Sequence, residues 1–204
     1  MSTPWTFRPD DGGWVVAIAP TERAVLLDVV DEVVELLGGD ESLGRRARGA
    51  SRHPLDALEL EPLPVAPPDD PALRRLLPDA SPDAEVSAEF RRFTEADLRA
   101  TKAANLARLR AALADARTEV VVVPSEAPGV AAALTDIRLV ISERLGVRTD
   151  EDAEDVYRLA AEVGPQEPSP RHLLAAVYAV LTQLQESLVG LMLGELPRAR
   201  RERG

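Results

Sequence analysis

Cysteine is absent from the 204 residues. That excludes disulfides, thiolate nucleophiles, Cys-ligated zinc and iron–sulfur clusters. Imidazole is scarce as well. Only His53 and His172 could supply it, and they lie far apart in sequence. Positive charge is short: 24 basic residues stand against 35 acidic ones, a net of −11 with a pI near 4.7. Phosphate attraction needs an excess of Lys and Arg, so direct nucleic-acid binding is disfavoured. No apolar run approaches the roughly 18–20 residues of a membrane helix. The start, Met1-Ser2-Thr3-Pro4-Trp5, has neither a basic segment nor an apolar one. It does not read as a secretory signal, and a cytoplasmic protein is expected. There is no Gly-x-Ser-x-Gly, and Gly12-Gly13 precedes a strand rather than a helix, so no phosphate loop is present. The acidic run 150–155 lacks the glycine and terminal Glu of a calcium loop and reads as the first turn of a helix. No catalytic residue, cofactor or metal site is expected.

What is present is one domain's worth of core, with 45% apolar residues. The expected fold is α+β, mainly α: a helical bundle with a small antiparallel sheet. The sheet is built from an N-terminal hairpin and a strand at 119–123. Trp5-Thr6-Phe7 alternates like a strand, Pro9-Asp10-Asp11-Gly12-Gly13 is turn chemistry, and Trp14–Ile18 is β-rich. Leu26, Val29, Val30, Val33 and Leu37 share one helical face, and Gly38-Gly39 ends that helix. Residues 40–69 are broken by Pro and Gly and carry Arg45, Arg46, Arg48 and Arg52, so a mobile loop is expected there. Asp70-Pro71 opens a short helix that Pro78 stops. A long helical stretch spans about 82–116, and a capping box at Thr94-Glu95-Ala96-Asp97 predicts a break or bend. Three more helices follow, at about 129–145, 149–164 and 169–193. In the last, Leu174, Val177, Leu181, Leu184, Leu188 and Leu191 keep a 3-4 spacing that could zip against a second copy. The domain is expected to close near 196, and the Arg-rich end, 197–204, reads as a solvated tail.

One polar group in the long helix stands out. With Leu98 as the reference, Leu106, Leu109 and Leu113 fall on one face at helical spacing. Lys102 and Asn105, the chain's only lysine and only asparagine, fall inside that stripe, with Glu95 and Arg91 on the same side. A buried ammonium is expensive unless paired. Lys102 is therefore expected to meet a carboxylate: Glu95, Asp136 or Glu186. Such a group is either structural or a polar contact surface for a ligand or partner.

Several stretches also carry a resemblance. They are Asp70-Pro71-Ala72-Leu73-Arg74-Arg75-Leu76-Leu77-Pro78, Glu89-Phe90-Arg91-Arg92-Phe93-Thr94-Glu95 with Asp97-Leu98-Arg99, Leu134-Thr135-Asp136-Ile137-Arg138-Leu139 with Arg144-Leu145-Gly146, and Tyr178 with Leu184-Gln185-Glu186-Ser187-Leu188-Val189. Together they resemble an actinobacterial family, long a domain of unknown function, that includes the oxidative stress regulator AosR. The resemblance covers nearly the whole chain outside 40–69. It implies a transcriptional co-regulator that joins an extracytoplasmic-function sigma factor or RNA polymerase, not an enzyme. The Cys-x-x-x-Cys switch of that regulator has no counterpart here, so any oxidative signal would be sensed by the partner. The candidate polar network or partner contact is Arg91, Glu95, Lys102, Asn105, Asp136, Arg138, Gln185 and Glu186, with no role implied for each. A small-molecule binder or enzyme built around Lys102 is one alternative. A structural helical protein dimerising through 171–193 is another.

Overall fold

The computed structural model describes residues 5–38, 66–116, 118–162 and 169–201, with side chains as far as 194. In chain order the elements are β1 (Arg8–Asp10), β2 (Gly13–Ala17), α1 (Pro20–Leu36), α2 (Pro71–Leu76), α3 (Ala84–Asp115), β3 (Glu119–Val122), α4 (Ala127–Leu145), α5 (Asp150–Ala161) and α6 (Pro170–Arg201). The three strands form one antiparallel sheet in the order β1-β2-β3, with Val15 opposite Arg8 on one side and Val121 on the other. The fold is α+β and mainly α, as its patterning predicts.

Helix α4 is central. Its apolar residues face nearly all round, and ten of its nineteen positions are buried, Leu134, Ile137 and Ile141 among them. It packs against α2, α3 and α6. Helix α1 packs against α3 and also touches α4, and the inward strand residues Trp14, Val16, Val120 and Val122 complete the core. The helix ends follow their chemistry. Asp70 caps α2 and Asp83 caps α3, each accepting two backbone N–H bonds. Gly146 ends α4 in the left-handed conformation. Thr149 and Asp152 form a capping box on α5.

Three expectations about local structure need correction. Residues 5–7 are not a strand. Trp5 has φ +55°, which breaks an extended run, and the Phe7 N–H donates to Ser187 Oγ on α6 instead. The first strand is displaced to Arg8–Asp10, where Pro9 is tolerated because β1 is an edge. Helix α3 does not break at Thr94. The Thr94 hydroxyl donates to the Phe90 carbonyl four residues back, so it is absorbed into the helix rather than capping a new one. Leu98 is a poor reference for the buried face: it is 38% exposed. In this half of α3 the buried positions are Ser87 and Arg91, not leucines. The α6 backbone stays helical to Arg201.

The 3-4 seam of α6 is used within the chain: Val177, Leu181, Leu184 and Leu188 are all buried against its own core. A second copy would have to use the opposite face. Over Pro170–Gly194 the helix is nevertheless long and apolar enough to cross a membrane by length and composition, contrary to the expectation from apolar runs. Scattered Thr182, Gln183, Gln185 and Glu186 interrupt the run without lowering the average enough to exclude it. Most of the loop expected at 40–69, including its arginines and His53, lies outside the described residues.

Glu143 ties three elements together. It accepts from Arg75 on α2 at 2.9 Å and from Arg148 in the turn before α5. These bonds, Arg148 first and then Arg75, pull its carboxyl down to about 2. A lowered carboxyl pKa adds stability above its unfolded value and loses it as pH falls. Thermal melts are therefore expected to show an acid loss between about pH 4.5 and 2. In Glu143→Gln that loss is expected to be smaller than in the parent. Parallel profiles for the two proteins would overturn the assignment.

Candidate functional site

The eight polar positions do not form one network. The fold divides them among separate contacts. Lys102 on α3 meets Asp136 on α4: Nζ donates to Oδ1 at 2.6 Å, with 17% and 6% of the two side chains exposed. Of the three carboxylates expected, the one on the central helix is the partner. Burial is the largest influence on Asp136 and raises its pKa, while Lys102 pulls it back. The ammonium is spent on this pair, which ties α3 to α4.

Arg91 is buried in the first half of α3. It donates to the Leu77 carbonyl at 3.2 Å, to Glu95 at 3.0 Å and to Asp79 at 2.6 Å. Glu95 also accepts from Arg99, which reaches the Leu37 carbonyl at the end of α1. This group fastens the α2–α3 connection and the end of α1 to α3. Asn105 stays local and accepts from Arg108 at 2.9 Å. On the other side of α4, Arg138 donates to Gln185 at 2.6 Å and lies 5.2 Å from the Tyr178 ring. Gln185 in turn donates to Thr135 at 2.7 Å. That is a cross-link between α4 and α6, distinct from the Lys102 pair. Glu186 is exposed on α6.

His172 gains two neighbours that sequence reasoning did not pair with it. Its Nδ1 lies 2.7 Å from Ser169 Oγ, and its Nε2 lies 3.6 Å from Glu162. The Ser169 hydroxyl also accepts from the His172 backbone N–H at 3.3 Å, so it works as the cap of α6. The order Ser–His–Glu is thus produced by helix capping, on an exposed corner.

The following cavities do not open onto the Lys102–Asp136 pair. One is a void of about 10 Å³ lined by core side chains such as Phe7, Leu26 and Leu134. That is room for about one water and no ligand. One open groove passes Asp79, Ser87 and Arg91, which are bonded to one another through Asp79 Oδ1. A second, of about 740 Å³, runs between α3 and β3.

A surface feature of α3 is more telling. Val86, Phe90 and Phe93 are 52%, 54% and 65% exposed. Their spacing of four and three places them on one helical stripe. Two of the chain's three phenylalanines thus face solvent. The Arg92 guanidinium lies 4.3 Å from the Phe93 ring. Asp83, Glu85, Glu89 and Asp97 surround the stripe. The i, i+4, i+7 spacing is legible in the sequence, but spacing alone does not tell an exposed apolar face from a buried one.

This polar framework, spread along α3, α4 and α6, belongs to a chain that matches the family described as a domain of unknown function, DUF2017, over residues 2–192. The chain is a member of DUF2017. The match takes in α1 to α5 and most of α6, and therefore every one of the eight polar positions. No curated protein and no solved structure matches this DUF2017 chain.

Proposed function

We propose that this DUF2017 protein is a non-enzymatic cytoplasmic regulator that acts through protein–protein contacts. Its role is that of a transcriptional co-regulator joining a sigma factor or RNA polymerase in an oxidative stress response. The observation that carries the contact-based reading is the stripe of Val86, Phe90 and Phe93. Exposed aromatics cost solvation free energy in a free monomer and are enriched at the centres of interfaces. The acids around the stripe and the net charge of −11 favour a partner with a basic rim. The resemblance to the family of AosR supplies the regulatory setting. The polar framework supports the same reading, since Lys102, Arg91 and Arg138 are each engaged within the fold.

The test is capture of purified RNA polymerase holoenzyme and of isolated sigma factors by the parent and by Phe90→Ser/Phe93→Ser. The double variant changes only exposed positions, so its stability should stay within about 1 kcal/mol of the parent. Binding should fall at least about tenfold, as for central interface aromatics. Equal capture by both proteins, or capture by neither, would sink the proposal. A concentration-dependent dimer that the double variant abolishes would reassign the stripe to a second copy of the chain.

A further inference from the structure

The two edges of the sheet are built differently. β1 carries Pro9 at its centre between Arg8 and Asp10, and all three are exposed. Proline and alternating charge are the usual guards against pairing with another strand. β3 has neither guard over Val120-Val121-Val122. It pairs with β2 on one side, and its other edge meets no strand among the described residues. The outward Val121 and, one residue past the end of β3, Val123 are 46% and 38% exposed.

Beside this strand the second half of α3 presents Ala104, Ala107 and Ala111. Their small side chains leave the groove of about 740 Å³ between helix and strand. Asp115, Glu119 and Glu126 line it, against Arg108. Arg108 is held by Asn105, and Glu119 is paired with Arg8. Asp115 and Glu126 have no ion-pair partner among the described residues.

We infer that this groove receives an extended basic segment of a partner protein, which adds a strand to β3. Strand addition draws affinity from main-chain hydrogen bonds and specificity from alternate side chains. Here one set of side chains would rest on Val121, Val123 and the alanines. The other set would offer Lys or Arg to Asp115 and Glu126. A second copy of β3 fits less well, because it would bring its own Glu119 and the neighbouring acids into a groove that is already acidic. The inference does not depend on the Phe90–Phe93 stripe, which lies on the other half of α3.

The probes are synthetic ten-residue peptides followed by fluorescence anisotropy: alternating Val and Arg, alternating Val and Glu, and the Val/Arg peptide N-methylated on alternate amides. The Val/Arg peptide should bind at least about tenfold tighter than either of the others, and its affinity should fall with salt. Ala111→Trp, which fills the groove from an exposed helix position, should weaken it about tenfold while leaving thermal stability unchanged. Hydrogen exchange of β3 amides should slow when the peptide binds. Binding of the N-methylated peptide at full strength would overturn strand addition. Binding of the acidic peptide at equal strength would overturn the charge assignment. No binding by any peptide, or β3 protection arising from self-association alone, would overturn the inference.

Discussion

Lys102→Met is expected to destabilise the fold by about 3 kcal/mol at neutral pH. The cost arises at the partner. Asp136 is the more buried member, with 6% of its side chain exposed, and loses its only ion-pair partner among the described residues. Asp136→Asn should cost less, because Lys102 is 17% exposed and its long stem can carry the ammonium outward. The loss in Lys102→Met should also depend on pH. Burial already raises the Asp136 carboxyl, and without the ammonium it rises further. A carboxyl whose folded pKa lies above its unfolded value weakens the fold as pH rises through the folded pKa. The deficit should therefore shrink as pH is lowered through the raised Asp136 pKa toward the ordinary carboxylate range, where Asp136 is neutral. Replacing both partners, Lys102→Met with Asp136→Leu, should return stability to within about 1 kcal/mol of the parent or above it. Urea unfolding of the four proteins at pH 7 and pH 4 reads all of this. Unchanged stability in Lys102→Met would mean that the pair is dispensable for folding and would move it toward a functional role.

Gly13→Ala should cost about 3 kcal/mol, with Gly12→Ala as its control. Gly13 has φ +140°, a conformation that other residues rarely adopt, which alone costs about 1–3 kcal/mol. An added Cβ would also stand 2.7 Å from the Val122 carbonyl oxygen, a backbone atom of the neighbouring strand. Either β2 or the end of β3 must move. The added Cβ at Gly12 would meet nothing within 4 Å. The two variants differ by one position and add the same methyl, so unfolding midpoints separate strain from composition. Equal midpoints would show that the hairpin relaxes freely.

The sequence was most informative where local chemistry and burial agree. Asp70-Pro71, Gly146 and Thr149 place helix ends within a residue or two because capping is local. That Lys102 meets a carboxylate was legible because a lone ammonium in a leucine phase demands a partner, while the choice of Asp136 over Glu95 and Glu186 was not. What helix phase could not supply was which neighbour faces which side. Arg138 and Gln185 are 47 residues apart and meet only because α4 and α6 pack together. Trp5-Thr6-Phe7 alternates like a strand, yet Ser187 takes the Phe7 N–H, a tertiary bond that no local pattern encodes. At Thr94 two local solutions competed, a cap and a bond to the preceding turn, and continuous packing of α3 favoured the second.

The unbroken course of α3 through Thr94 has a mechanical consequence. From Phe93 to Ala111 the helix advances about 27 Å, at roughly 1.5 Å per residue. The aromatic stripe and the acidic groove therefore sit on one rigid ruler. A partner that engages only one of them binds with that contact alone. A partner whose apolar and basic segments lie about that far apart makes the second contact intramolecular, and its affinity is multiplied by an effective concentration. A flexible glycine insertion near Thr101 would leave both contact surfaces intact yet lower that multiplication, because the spacing itself is what α3 presents.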